Sequence, residues 1–242
     1  MPAGREHGGN MLYTKDFAFI HVQKTGGMSM TRFLVNAIDD PVTVFVPDRA
    51  RDHALRMPAT PEAAAKLTCH TGTRHEKPAA ALALLDKHGL EIPPFAFAVI
   101  RDPADLMLSY YKHIQKPRVR QRRMTDGDAG SKKVLRAARQ LPFDAFAREH
   151  LFYNMEDETL IRFYEREAFP RLDVVPLKRV SEYLTARFSH HAGFDLAKLE
   201  HRNKSKYDKT ADQPDPDTVA HIKATYPKVQ ALYEEAMARD SW

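Results

Sequence analysis

The chain has 242 residues, 43% hydrophobic and 29% charged, a length and balance that suit one buried core in a globular protein. No apolar run reaches the length of a membrane span, and Met1–Asn10 is polar and Gly-rich, without the apolar centre of a signal peptide. One cysteine, Cys69, excludes an internal disulfide and fits a reducing compartment, so the expected location is cytoplasmic.

Residues 1–14 read as a polar N-terminal extension and 15–242 as the domain. The first clear strand is Phe17–Val22, an apolar run of the kind buried in a parallel sheet. It ends in Gln23-Lys-Thr-Gly-Gly27, after which Met30, Phe33, Leu34 and Ile38 recur at helical spacing over Met28–Ile38. Further strands are expected at Val42–Val46, Leu67–His70, Phe95–Ile100 and Asp173–Leu177. Helices are expected over 78–88, 104–116, 131–140, 143–150, 157–168 and 180–191. A last helix spans Asp217–Met237, kinked or split at Pro227, and 200–216 reads as a polar loop. Strands alternating with helices predict an α/β fold: a mostly parallel central sheet flanked by helices.

The net charge of +5 is unevenly spread. Lys112 to Arg139 holds ten Lys or Arg against two acids, Asp126 and Asp128, so this segment carries +8 and the rest −3. Such a field draws anions without naming them, and a solvated basic loop with helix faces around it explains the charge equally well.

A strand that ends in a Gly-containing turn and feeds a helix gathers backbone N–H groups at the positive end of the helix dipole. Lys24 adds a mobile cation there, Gly26 and Gly27 allow close approach, and Thr25 and Ser29 bring hydroxyls. The P-loop pattern G-x-x-x-x-G-K-[ST] is absent; here the lysine precedes the glycines. Strand Phe95–Ile100 runs into Arg101-Asp-Pro103, where Asp102 can cap a helix that Pro103 opens. Arg101 follows a strand's C-terminal end, where α/β sheets bind ligands, and its guanidinium suits a phosphate. Ser109, about two helical turns on, can face the same region. The alternative is that Arg101 pairs with Asp102 or Asp105 and that Ser109 is a surface residue.

Together, F-I-H-V-Q-K-T-G-G-M-S and F-A-V-I-R-D-P-A-D-L-M-L-S-Y-Y resemble the two cofactor-binding segments of the carbohydrate sulfotransferase superfamily. The resemblance is to the group that contains the heparan-sulfate O-sulfotransferases and bacterial relatives. Val174–Leu177 with Val180–Leu184 is similar to that family's late strand–helix unit, and His201–Ser205 to its cofactor-covering loop. Tyr226–Tyr233 is similar to its C-terminal helix, so the likeness spans about 17–237. Gln23 stands where the family has Pro, and Met28 where it has Thr.

The resemblance implies a P-loop-NTPase-like sulfotransferase fold and sulfuryl transfer from 3′-phosphoadenosine 5′-phosphosulfate (PAPS) to an acceptor hydroxyl, with adenosine 3′,5′-bisphosphate (PAP) as product. It assigns the 5′-phosphosulfate to Lys24 with Thr25, Gly26, Gly27, Met28 and Ser29, and the 3′-phosphate to Arg101 and Ser109. Asn203, Lys204 and Ser205 would cover the cofactor. It points to His70 as the base, the histidine closing Leu67-Thr-Cys-His70, with His75, His21 and Glu76 as rivals. No metal is called for. The implied acceptor is a carbohydrate or glycolipid hydroxyl, with acidic carbohydrate favoured by the basic segment. Nucleic acid is a poor partner, because Arg118–Arg123 lacks interleaved aromatics. The competing classes are a P-loop-like kinase, against which stand the missing G-K-[ST] and the lack of a clear acidic Mg²⁺ partner in this chain, and a non-catalytic polyanion binder.

Overall fold

The computed structural model describes residues 11–72, 75–149, 155–199 and 213–242. Its strands are β1 (Met11–Tyr13), β2 (Phe17–Ile20), β3 (Val42–Val46), β4 (Leu67–Thr71), β5 (Phe95–Ile100) and β6 (Leu172–Pro176). The first helices are α1 (Gly27–Ala37), α2 (Arg51–Ala54), α3 (Pro61–Ala65), α4 (Pro78–Lys87), α5 (Pro103–Ile114) and α6 (Pro117–Asp126). They continue with α7 (Ala129–Gln140), α8 (Phe143–Glu149), α9 (Asp157–Ile161), α10 (Val180–Phe188), α11 (Pro216–Thr225) and α12 (Pro227–Met237). Among the described residues, no helix is long and apolar enough to cross a membrane.

Contacts divide the chain into two compact units, each drawn from separated stretches. The first takes the described residues of Met1–Ile100, Arg162–Lys204 and Ala236–Trp242, and the second those of Arg101–Ile161 and Ser205–Glu235.

The first unit holds a six-stranded sheet in the order β4-β3-β1-β2-β5-β6. β2 pairs parallel with β5, β5 with β6, and β3 with β4, while β1 runs antiparallel to both its neighbours. The sheet is therefore mostly parallel, and the α/β expectation holds. β1 lies within the stretch read as an extension, so the sheet begins before residue 15. Three residues are too few to show a period, yet Met11, Leu12 and Tyr13 are all buried. A turn held by Phe17 N–H donating to Thr14 Oγ1 (3.1 Å) returns the chain into β2.

β2 and β5 are uninterrupted apolar runs because both faces are covered. On one face Phe17, Phe19 and Phe97 join Met30, Phe33 and Leu34 of α1 and Tyr183, Leu184 and Phe188 of α10 in one cluster. The Phe97 ring lies 4.9 Å from Phe19 and 5.1 Å from Tyr183. On the other face His88, at the end of α4, meets Phe45 edge-on.

The second unit is helical. Asp102 caps α5 through Ala104 N–H (2.9 Å) and Asp105 N–H (3.3 Å), as the Asp-Pro pair predicts. The expected split at Pro227 is present: α11 stops at Thr225 and α12 starts at Pro227. The opening N–H groups of α12, at Lys228 and Val229, donate to Asp157 of α9 (3.1 and 3.0 Å). Within the basic stretch, the residues between the helices expected over 104–116 and 131–140 form a further helix, α6, instead of a loop.

Removing Phe97 would empty the centre of the aromatic cluster. Phe97→Ala is expected to cost about 3–5 kcal/mol, seen in urea unfolding as a lower midpoint with an unchanged slope.

Candidate functional site

In the first unit the chain leaves β2 through His21 and Val22, both buried, and turns over Gln23–Gly26. Lys24 has φ 65° and Gly26 φ 86°, with Thr25 between them in an ordinary conformation. Alternating left-handed residues turn successive N–H groups toward one concave side, a backbone nest suited to an anion. A left-handed L-residue costs roughly 1–2 kcal/mol, so Lys24 is held there by its surroundings. One restraint is explicit: the buried Thr25 hydroxyl donates to Val22 O (2.8 Å). That proton holds the turn together, so Thr25 shapes the loop more than it offers a donor. Gly26 O accepts from Ser29 N–H (3.0 Å) and Met30 N–H (3.1 Å), which starts α1.

The two glycines are required for different reasons. Gly26 has room, with Leu177 Cδ1 at 3.7 Å from a hypothetical Cβ, but its backbone is left-handed. Gly27 has an ordinary backbone, yet a Cβ there would fall 1.8 Å from His21 Cδ2. The His21 imidazole occupies that space and stacks 6.2 Å from Phe19 at 16°. Met28 is half-buried against the hydrophobic cluster, so only its backbone can serve an anion. Ser29 is half-buried on the first turn of α1.

The segment after β4 brings His75 to the end of β2. Its Nδ1 lies 3.1 Å from His21 O, and the two rings stand 5.1 Å apart at 77°. A carbonyl only accepts, so Nδ1 carries the proton and the neutral ring has its acceptor lone pair on Nε2. Phe163 meets the same ring edge-on at 6.4 Å. Glu76 is buried, and its Oε1 would lie 3.4 Å from a Cβ on Gly72.

His70 is elsewhere. β4 is three places from β2 in the sheet, about 14 Å at ordinary strand spacing. His70 is the register partner of Phe45, while its neighbour Cys69 belongs to the cluster that also holds Phe19. Alternation therefore puts His70 on the face opposite Phe19 and the His21 ring stacked on it. There it stacks on His88 at 4.1 Å. Burial, then His88 and Arg51, push its pKa below the ordinary imidazole value, so it is neutral at neutral pH. Sequence order could not show this, since a strand's tip and the loop beyond it differ by five residues but by most of the sheet's width.

In the second unit Arg101 is half-buried at the start of α5. Burial pushes its guanidinium pKa down, and Asp105, then Asp102, oppose that shift. Asp102 itself is engaged as the helix cap and by Lys223 (3.6 Å). Ser109 is half-buried two turns along α5. The tyrosines beside it are structural. Tyr110 is buried, its hydroxyl accepting from Arg123 NH1 (3.2 Å), and the Tyr111 hydroxyl donates to Leu141 O (2.7 Å). Arg123, one cation of the basic stretch, therefore fastens α6 to α5. Asn203, Lys204 and Ser205 lie outside the described residues. Among the described residues, no three His, Cys, Asp or Glu side chains gather as for a metal.

No family model matches the chain, and no curated protein matches it. Among solved structures the chain is similar to the crystal structure of a sulfotransferase from Alicyclobacillus acidocaldarius. The two share 16% identity over 94% of this chain and 97% of that one, with a TM-score of 0.43. No residue's role is carried over from it.

Substitutions in the loop separate shape from charge. Gly27→Ala is expected to destabilise by about 2 kcal/mol or more through the displaced His21 ring. Lys24→Gly is expected to unfold at a urea midpoint no lower than that of the parent chain, because glycine relieves the left-handed strain.

Proposed function

We propose that this chain is a PAPS-dependent sulfotransferase that sulfates an acceptor hydroxyl. The observation that carries the reading is the turn after β2: a left-handed Lys24 and Gly26, a lysine cation and a helix start, built on a central parallel strand. The pattern of residues there, and Arg101 with Ser109 after the parallel neighbour β5, is what resembles the sulfotransferase segments.

When bound, PAPS supplies an activated sulfuryl group whose sulfur–oxygen bond to the 5′-phosphate breaks as the acceptor oxygen attacks. Within this reading Lys24 and the N–H groups of the turn stabilise charge that grows on the departing phosphate. Arg101 and Ser109 anchor the 3′-phosphate, which contributes orientation without taking part in bond breaking. Asn203, Lys204 and Ser205 remain the proposed cover.

The base is better assigned to His75 than to His70. His75 stands at the end of β2, with its proton fixed on Nδ1 by His21 O and Nε2 as the acceptor of the hydroxyl proton. His70, stacked on His88, is three strands away on the opposite face. The acceptor class is carbohydrate, with the positive charge of α6 favouring an acidic one.

Calorimetric titration with PAP, with ATP and AMP in parallel, tests this. The bisphosphate alone is expected to bind, and Lys24→Ala and Arg101→Ala are each expected to weaken it about tenfold or more, as loss of a charge-assisted contact does. In turnover, His75→Ala should keep PAP affinity and lose about 10²–10⁴-fold in kcat, while His70→Ala stays within a few-fold of the parent. Preference for ATP with Mg²⁺ would move the chain to the kinases. Salt-sensitive glycan binding without turnover would make it a polyanion binder.

A further inference from the structure

At the other end of the parallel strands, the first unit carries a second concentration of positive charge. Asp173, on the edge strand β6, is 2% exposed, and its carboxylate is the hub. Arg171 Nε donates to Oδ1 (2.8 Å), while the Tyr183 hydroxyl (3.1 Å) and Arg187 NH2 (3.3 Å) donate to Oδ2. Arg239 NH1 stands 3.7 Å from Oδ1. Three guanidiniums thus share one carboxylate. Each guanidinium has five N–H donors, and a carboxylate's two oxygens accept far fewer. Arg187 Nε is buried without a hydrogen-bond partner among the described residues.

This cluster borders an open recess of about 540 Å³ lined by Arg166, Pro170, Arg171, Leu172, Asp173 and Arg239. Arg171 and Arg239 line it together with Asp173, the one acid among the lining residues, which Arg187 shares from beneath. Arg171, Arg187 and Arg239 bring three positive charges to the single negative charge of Asp173, so a further anion is attracted there, and the volume is that of a small-molecule site. The recess lies at the start of β6, where Ala96 N–H of β5 donates to Arg171 O, whereas the Lys24 turn follows the C-terminal end of β2. The two are separate places on one sheet.

We propose that this recess is a second anion site, which takes a small multivalent oxyanion such as a phosphate or sulfate ester, with Arg171 and Arg239 gripping its oxygens. Arg187 and Asp173 beneath them hold the two forks in place. The site is independent of the turn at Lys24 and of the reaction proposed for it.

The probe is inorganic pyrophosphate, titrated calorimetrically into the full chain carrying Lys24→Ala, which disables the turn as a competing site. Saturable binding with a Kd of about 1 mM or tighter is expected, weakened about tenfold by Arg239→Gln and by Arg171→Gln. Arg171→Lys keeps the charge but not the fork, and is expected to fold and still bind more weakly than the parent, which covers the case in which the glutamine variant does not fold. Inorganic sulfate in a parallel titration distinguishes a general oxyanion site from one that needs linked phosphates, and saturable binding of either supports the proposal. No saturable binding in the Lys24→Ala chain would overturn it, as would binding that none of the arginine substitutions alters.

Discussion

The contact on which the proposed site depends is that of the His21 imidazole lying directly on the backbone of Gly27. It closes the space where any other residue would carry a Cβ, so the end of β2 and the start of α1 are held at one separation. The same residue's carbonyl receives His75 Nδ1. One histidine therefore fixes two segments, the turn at 23–26 and the stretch that follows β4. His21 is buried and contributes through its shape and its carbonyl, which is the work of a positioning residue.

Around this contact the turn stores strain and is restrained against releasing it. Lys24 adopts a left-handed backbone that a lysine ordinarily avoids, Thr25 ties the turn to Val22 O, and Gly26 supplies the second left-handed residue. Strain of this kind persists only where neighbouring structure over-determines it, and such places cluster at binding sites. The burial of β2 and β5 on both faces provides the rigid support, since neither strand can shift without disturbing the Phe17, Phe19 and Phe97 cluster.

Much of this was readable in the sequence, and the failures have physical causes. The apolar runs at 17–22 and 95–100 announce buried parallel strands, and the Asp102-Pro103 pair announces a capped helix. The split at Pro227 follows from proline's missing donor. β1 escapes because three residues carry no period, and α6 because its arginines hide any apolar face. The roles of the glycines emerge only in three dimensions: the sequence reads both as allowing close approach of an anion, whereas Gly26 is needed for its left-handed backbone and Gly27 for the space that the His21 ring fills. Where the histidines lie relative to one another is a matter of topology. A motif fixes His70 by its place on a strand, but sheet order puts that strand at the edge, and only the return of the chain brings His75 to β2. The Asp173 cluster is invisible in one dimension, because Arg171, Arg187 and Arg239 are far apart in the chain.

The most direct test of the central claim is ³¹P NMR of bound PAP, which reports its two phosphates separately. Lys24→Ala is expected to perturb chiefly the 5′-phosphate resonance and Arg101→Ala chiefly the 3′-phosphate resonance. Equal perturbation of both signals by either substitution, or a bound spectrum indifferent to Lys24, would contradict it.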